Sequence, residues 1–311
     1  MNQTQPRSQG RPVIGVTGAS GFLGSALVEL LSREGYRILR LVRRPPRDES
    51  EVRWDPETGE LEAKALEGVA GVVHLAGETI DQRWTDQAKR RLWDSRVRGT
   101  RVLAQGLATL TAPPEVLVSG SAIGYYGADR GDEILEEESA PGTDFLAQLG
   151  VAWEEAAAPA REAGIRVVHP RFGIVLASHG GALRRMLPAF RLGVGGRLGS
   201  GRQWMSWVSL PDAVRAIHFA LENRSLRGPC NVVAPEPVSN AAFTEELGRA
   251  LRRPTWMVVP ELALRAVYGE MAIGTILANQ RVRPKRLLES GFQFLHPTLD
   301  RALHAIFHSS S

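Results

Sequence analysis

The 311-residue chain has one cysteine, and of its 38 basic residues only Lys64, Lys89 and Lys285 are lysines. A lone Cys230 excludes an intrachain disulfide and a thiolate metal cluster within one chain. That suits a reducing compartment, and the cytoplasm is the expected location. No apolar run approaches the ~20 residues of a membrane span, and the polar Met1 to Arg11 segment has no apolar signal core. Of the seven histidines only His304 and His308 stand at H-x-x-x-H spacing, and no cysteine lies near them in the sequence to complete a ligand set, so no metal site is expected. Basic blocks interleaved with aromatics are also absent. A formal charge of +4 carried almost wholly by arginine therefore points to anionic small ligands and not to nucleic acid.

Apolar residues at 43% and charged residues at 23% place the chain among globular proteins, and its length allows one large domain with a smaller lobe. Near the start, Val13 to Thr17 reads as a buried strand. It runs into Gly18-Ala19-Ser20-Gly21-Phe22-Leu23-Gly24 and then into an apolar-periodic helix, Ser25 to Arg33. Gly18 permits a tight turn out of the strand, Gly21 lets backbone approach a pyrophosphate, and Gly24 lets the helix pack closely on the sheet. Free N–H groups at the helix start would face phosphate charge. The spacing is G-x-x-G-x-x-G, and the strand before and helix after supply the context that makes it a dinucleotide site.

The second strand, Arg37 to Val42, ends in Arg43-Arg44 with no carboxylate. An acidic residue there would bind the adenosine ribose of NAD, whereas arginine accommodates the 2′-phosphate of NADP. NADP is the expected cofactor. The alternative is a solvated basic turn continued by Arg47.

From Val13 to about Arg171 strands alternate with helices, with further strands at Gly71 to Leu75, Glu115 to Gly120 and Arg166 to Pro170. The expected fold class is α/β: a Rossmann-type doubly wound parallel sheet with a smaller C-terminal substrate lobe. Residues 11–172 form the NADP-binding domain, 207–228 return to it, and 173–206 with 229–311 form the lobe. Long helices are expected over Asp86 to Leu110 and Phe145 to Ala163. Met1 to Gly10 and Ser309 to Ser311 read as disordered ends.

Three motifs in order, Thr17 to Gly24, Val72-Val73-His74-Leu75-Ala76-Gly77 and Val118 to Gly127, resemble the extended short-chain dehydrogenases/reductases. More narrowly, Leu75-Ala76-Gly77-Glu78, Gly124-Tyr125-Tyr126-Gly127, Arg171-Phe172-Gly173, Gly199 to Trp207 and Gln280 to Pro284 are similar to the atypical, nucleotide-sugar epimerase-like "epimerase family protein" group. The resemblance runs from about Val13 to Leu303. It implies cofactor contacts from Gly18, Ser20, Gly21, Phe22, Leu23, Gly24, Arg43, Arg44, Leu75, Ala76, Gly77 and Glu78, and a homodimer paired through the two long helices.

It also implies a Tyr and a Lys at Y-x-x-x-K spacing, the lysine lowering the tyrosine pKa and holding the nicotinamide ribose. The chain departs from this. Four residues beyond Tyr36, Tyr125, Tyr126 and Tyr268 stand Arg40, Asp129, Arg130 and Ala272, and Phe145 or Leu146 occupies the tyrosine neighbourhood. An unassisted tyrosine with a pKa of about 10 is a poor base near neutrality, so another group substitutes or the chemistry is lost.

The candidate catalytic residues are Ser121, which would polarise a carbonyl, and Tyr125 and Tyr126, which would offer a phenol. An alignment on Tyr126-Gly127 puts Ala122 in place of Ser121, and each tyrosine could equally be packing with its hydroxyl bonded locally. Glu78 would contact a ribose or substrate hydroxyl, or pair with Arg96. Arg202, Gln203 and Trp204 would bind a sugar diphosphate, or form an aromatic anchor for the lobe. The leading expectation is an NADP-dependent epimerase, dehydratase or reductase acting on a nucleotide sugar. The rival is a catalytically silent NADP-binding sensor or scaffold.

Overall fold

Alternation along the strands decides which face each side chain covers. Ile14, Val16, Val73, Val116 and Val118 pack on one face with Leu27, Leu31, Ala213 and Ile217, while Val72 and Leu117 meet Leu103, Ala104 and Leu107 on the other. Each such side chain, fully buried, contributes roughly 1.5–3 kcal/mol, which makes the two-sided sheet the framework of the molecule.

The computed structural model describes residues 11–308; the two ends expected to be disordered lie outside the described residues. The first half comprises β1 (Val13–Thr17), α1 (Phe22–Arg33), β2 (Arg37–Val42), β3 (Glu51–Asp55), β4 (Glu60–Leu61), β5 (Gly71–His74), α2 (Asp86–Trp93), a π-helical turn at Asp94–Arg98 and α3 (Gly99–Ala108). There follow β6 (Val116–Ser119), β7 (Ser121–Ala122), β8 (Asp129–Leu135), α4 (Phe145–Glu155), α5 (Ala158–Glu162), β9 (Arg166–Phe172), β10 (Ile174–Leu176) and α6 (Gly181–Arg191). The remainder holds β11 (Gly196–Leu198), β12 (Trp204–Met205), β13 (Trp207–Ser209), α7 (Leu210–Glu222), β14 (Gly228–Val232), β15 (Val238–Ser239), α8 (Asn240–Leu251), β16 (Met257–Val259), α9 (Glu261–Tyr268), β17 (Asn279–Val282), α10 (Lys285–Glu289) and α11 (Leu299–His308).

The main sheet runs β14-β9-β6-β5-β1-β2-β3-β4, parallel throughout except for the β3–β4 hairpin. Chain direction along the sheet reverses between β1 and β5, and the crevice beyond their carboxyl ends is where open α/β sheets bind ligands. A second core of Leu183, Leu187, Phe190, Trp207, Phe243 and Leu303 gathers α6, α8 and α11 beside the sheet.

Three expectations are corrected. Gly228–Val232 pairs with β9 as the edge of the main sheet, so the lobe does not resume at 229. β8, expected within the nucleotide domain, pairs instead with β17 from the C-terminal part. The helix expected over 145–163 stops at Glu155 and restarts at Ala158, because Pro159 has no N–H to continue the ladder and fits only a first turn.

Candidate functional site

At the switch point β1 delivers Gly18 in the left-handed region, φ +67°, and a Cβ there would lie 2.8 Å from the Ala76 nitrogen. Only glycine meets both conditions. A Cβ on Gly24 would come within 2.0 Å of the Gly18 carbonyl oxygen, so the helix packs on its own turn. α1 starts after Gly21 with no side-chain cap and no acidic residue in its first turn, which leaves its leading N–H groups open to an anion. Ser20 is exposed beside them. The Phe22 ring packs against Gly180 and Gly181 at the start of α6. Leu23 likewise packs on the main core.

Thr17 ties the two strand ends together. Its hydroxyl oxygen accepts from the Leu75 and Ala76 nitrogens at 3.1 and 3.2 Å and bonds His74 Nδ1 at 2.7 Å. Burial, with Arg96 adding to it, pushes His74 down to about 4, so it is a neutral core residue.

The two arginines after β2 part company. Arg44 makes a bidentate pair with Glu51 of β3 at 2.7 and 2.5 Å, which holds the Glu51 carboxyl down near 2. Arg43 is exposed, with no hydrogen bond or ion pair among the described residues. Beyond β5, the Glu78 carboxylate accepts from Gln82 at 3.2 Å and lies 3.8 Å from Arg91. The alternative reading, a Glu78–Arg96 side-chain pair, is not formed: Arg96 donates to the Glu78 backbone carbonyl at 2.9 Å, not to the carboxylate.

The segment after β6 closes on itself. Arg171, 2% exposed, donates from Nε and Nη2 to the two carboxylate oxygens of Glu154 at 2.7 and 2.8 Å. Burial opposes its charge, but Glu154 outweighs it and raises the guanidinium pKa. Ser121 gives its only hydroxyl proton to the same Glu154 at 2.7 Å, and so has none left for a substrate carbonyl. Tyr126 is fully buried, donates to Asn231 Oδ1 at 2.7 Å, accepts from Arg171 at 3.0 Å, and is pushed up to about 12 mainly by burial. Ser121 and Tyr126, two of the expected catalytic groups, are thus held by internal partners. Tyr125 differs: it is half-buried, its ring lies 3.5 Å from the Arg171 guanidinium, and its hydroxyl has no partner among the described residues. On the facing helix, Leu146 packs against Gly124 and Gly150 against the Tyr125 backbone, four residues apart. Sequence reasoning missed the Glu154–Arg171 pair because nothing local joins residues 17 apart on a helix and a strand.

Past β11, Arg202 is exposed, its guanidinium without a hydrogen bond or ion pair among the described residues. Gln203 Nε2 donates to the Leu198 carbonyl at 3.1 Å, while the Trp204 indole N–H donates to Asp132 at 2.9 Å under Arg281, 4.3 Å from its ring. Trp204 therefore anchors β12 to β8, and Arg202 alone of the three is open. No group of three His, Cys, Asp or Glu able to hold a metal occurs among the described residues. No helix among them is long and apolar enough to cross a membrane.

A doubly wound sheet with a glycine turn at its switch point defines a dinucleotide-binding protein of the extended short-chain dehydrogenase/reductase type. The profile described as "NAD dependent epimerase/dehydratase family" matches residues 14–233, and a domain of unknown function, DUF1731, matches 259–306. The chain belongs to the NAD-dependent epimerase/dehydratase family. It is 47% identical over 292 residues to an epimerase family protein of Mycobacterium bovis, covering 94% of this chain and 96% of that protein. The crystal structure of human epimerase family protein SDR39U1 with NADPH is similar at a TM-score of 0.88 and 32% identity, covering 96% of this chain and 100% of that one. A nucleoside-diphosphate sugar epimerase from Corynebacterium glutamicum gives 0.78 and 35%, covering 96% of this chain and 58% of that one.

Proposed function

We propose that this protein binds NADPH at the β1–α1 turn and acts on a nucleotide sugar, with Tyr125 as the group that exchanges a proton with substrate. The observation that carries the cofactor assignment is the cradle itself: Gly18 and Gly24 stand where any Cβ would collide, before a helix whose N–H groups lack a cap. Arg43 is free to meet a 2′-phosphate, while Arg44 is held by Glu51 and shapes the turn. SDR39U1, solved with NADPH, supports the same choice.

When bound, the cofactor supplies or accepts hydride. Everything else falls to the chain. The β1–α1 turn and the Leu75-Ala76-Gly77 backbone would orient the dinucleotide. Arg171, neutralised by Glu154, fixes the Tyr125 ring and leaves its hydroxyl open to a substrate hydroxyl. Arg202 would take the diphosphate of the substrate, a class supported by the Corynebacterium relative.

A second reading, a catalytically silent NADPH-binding sensor, is favoured by one specific observation: Ser121 and Tyr126 are both committed to internal partners. Thermal shift with NADPH, NADP, NADH and NAD, followed by NADPH with a nucleotide-sugar panel, separates the two, because a bound ligand raises the midpoint by mass action. A shift with the phosphorylated forms and a further sugar-dependent shift supports the enzyme. A cofactor shift with no response to any sugar supports the sensor, and equal shifts with NADH and NADPH would sink the role of Arg43.

A further inference from the structure

We propose that Arg96 is a cofactor-facing cation that makes the crevice favour the reduced, uncharged nicotinamide ring over the oxidised, positively charged one. This rests on the reading that the crevice holds NADPH. Arg96 is carried by the π-helical turn Asp94–Arg98 between α2 and α3, a local irregularity of the kind that re-aims side chains at functional sites. Its guanidinium lies directly beneath Gly77, where a Cβ would sit 3.3 Å from Cζ, and 5.1 Å from the Trp153 ring. Trp153 in turn packs against Gly120 at the end of β6. Arg96 thus occupies the floor between the ends of β5 and β6.

That position fixes which half of the dinucleotide it meets. Pyrophosphate belongs at the α1 N-terminus and the adenosine ribose at the end of β2, where Arg43 stands. With sheet order β6-β5-β1-β2, the nicotinamide half falls on the β5–β6 side, over Arg96.

No carboxylate among the described residues contacts this charge. Arg96 makes no ion pair among the described residues, and it donates to two backbone carbonyls, Glu78 at 2.9 Å and Leu92 at 3.4 Å. Glu78, whose charge it feels, turns its carboxylate to Gln82 and Arg91. Burial lowers the guanidinium only to about 10, so it is cationic at neutral pH. A half-buried cation without a counter-ion is costly, and a fixed positive charge repels a cationic ring while leaving a neutral one alone.

Titration calorimetry with NADPH and with NADP on the wild type, Arg96→Gln and Arg96→Lys tests this. Gln keeps a donor for the Glu78 carbonyl and removes the charge. The affinity ratio of NADPH to NADP is expected to fall about tenfold in Arg96→Gln and to persist in Arg96→Lys. An equal loss for both forms would assign Arg96 to the phosphates, and an unchanged ratio with unchanged affinities would leave it only a packing role on Trp153; either overturns the proposal. Should Arg96→Gln not fold, Arg96→Met carries the same expectation. Wild-type protein that binds neither form would overturn the cofactor reading itself, a result distinct from an unchanged ratio in a protein that binds both.

Discussion

The turn between β1 and α1 keeps its polar groups open: an uncapped helix start, an exposed Ser20 and a free Arg43 surround glycines that nothing else could replace. The segment after β6 does the reverse. There Ser121, Tyr126, Glu154 and Arg171 satisfy one another in the interior, while the Tyr125 hydroxyl has no partner among the described residues. Open polar groups next to a backbone cradle are the mark of a ligand site, whereas closed, mutually bonded groups are the mark of a core. One end of the crevice is built to receive a ligand, and the other has turned its polar residues into architecture.

The largest effect that would sharpen this contrast comes from breaking the closed end. Glu154→Ala leaves the Arg171 guanidinium buried without its carboxylate, and urea denaturation should show a loss of roughly 3–5 kcal/mol. The double variant Glu154→Leu with Arg171→Met should recover much of it, because no charge is then stranded. A loss confined to a few tenths of a kcal/mol would mean that the pair is not structural.

Next comes the floor of the open end. His74 is held near 4 against an ordinary 6.5. Between those values the unfolded chain takes up a proton that the folded chain refuses. Stability is therefore full above pH 6.5 and falls as pH drops toward 4, by about 1.4 kcal/mol per unit and about 3 kcal/mol in all. His169, also pushed down by burial, adds a slope of the same sign. The difference in unfolding free energy between wild type and His74→Gln across that range isolates the His74 share; parallel pH profiles would refute it.

Gly24→Ala should cost about 1–3 kcal/mol through overpacking against the Gly18 carbonyl and abolish the NADPH-induced thermal shift. The same substitution at Gly35, around which a Cβ would meet nothing, should leave cofactor binding intact, since its φ of +88° strains only the local helix end. Arg43→Ala is expected to weaken NADPH about tenfold and leave NADH unchanged, as read by calorimetry. Smallest in stability is Tyr125→Phe, within about 0.5 kcal/mol because no hydrogen bond is lost. It should nonetheless remove turnover on any nucleotide sugar the panel identifies, and retained turnover would end the case for Tyr125.

The fold was legible wherever local patterning settles it. Apolar runs bounded by glycine located β1, β2, β5, β6 and β9 to within a residue or two, and the glycine turn named its own ligand class. The long helix at 86–110 was located too, but not the π turn within it, because a shift in hydrogen-bond register leaves no mark on hydrophobic spacing. Neither did composition reveal that Gly228–Val232 rejoins the sheet, since a lone edge strand looks like any short apolar run.

By itself the sequence determined the dinucleotide turn, because φ above zero and the absence of a Cβ are properties of single residues, and the lack of a Tyr-x-x-x-Lys dyad, because spacing on one helix is also local. Only the tertiary structure decided which polar residues are free. Glu154 meets Arg171, Arg44 meets Glu51 and Arg96 comes under Gly77 through strand order and helix packing that span the chain. Whether a side chain is a ligand or a strut depends on the partner that folding brings to it.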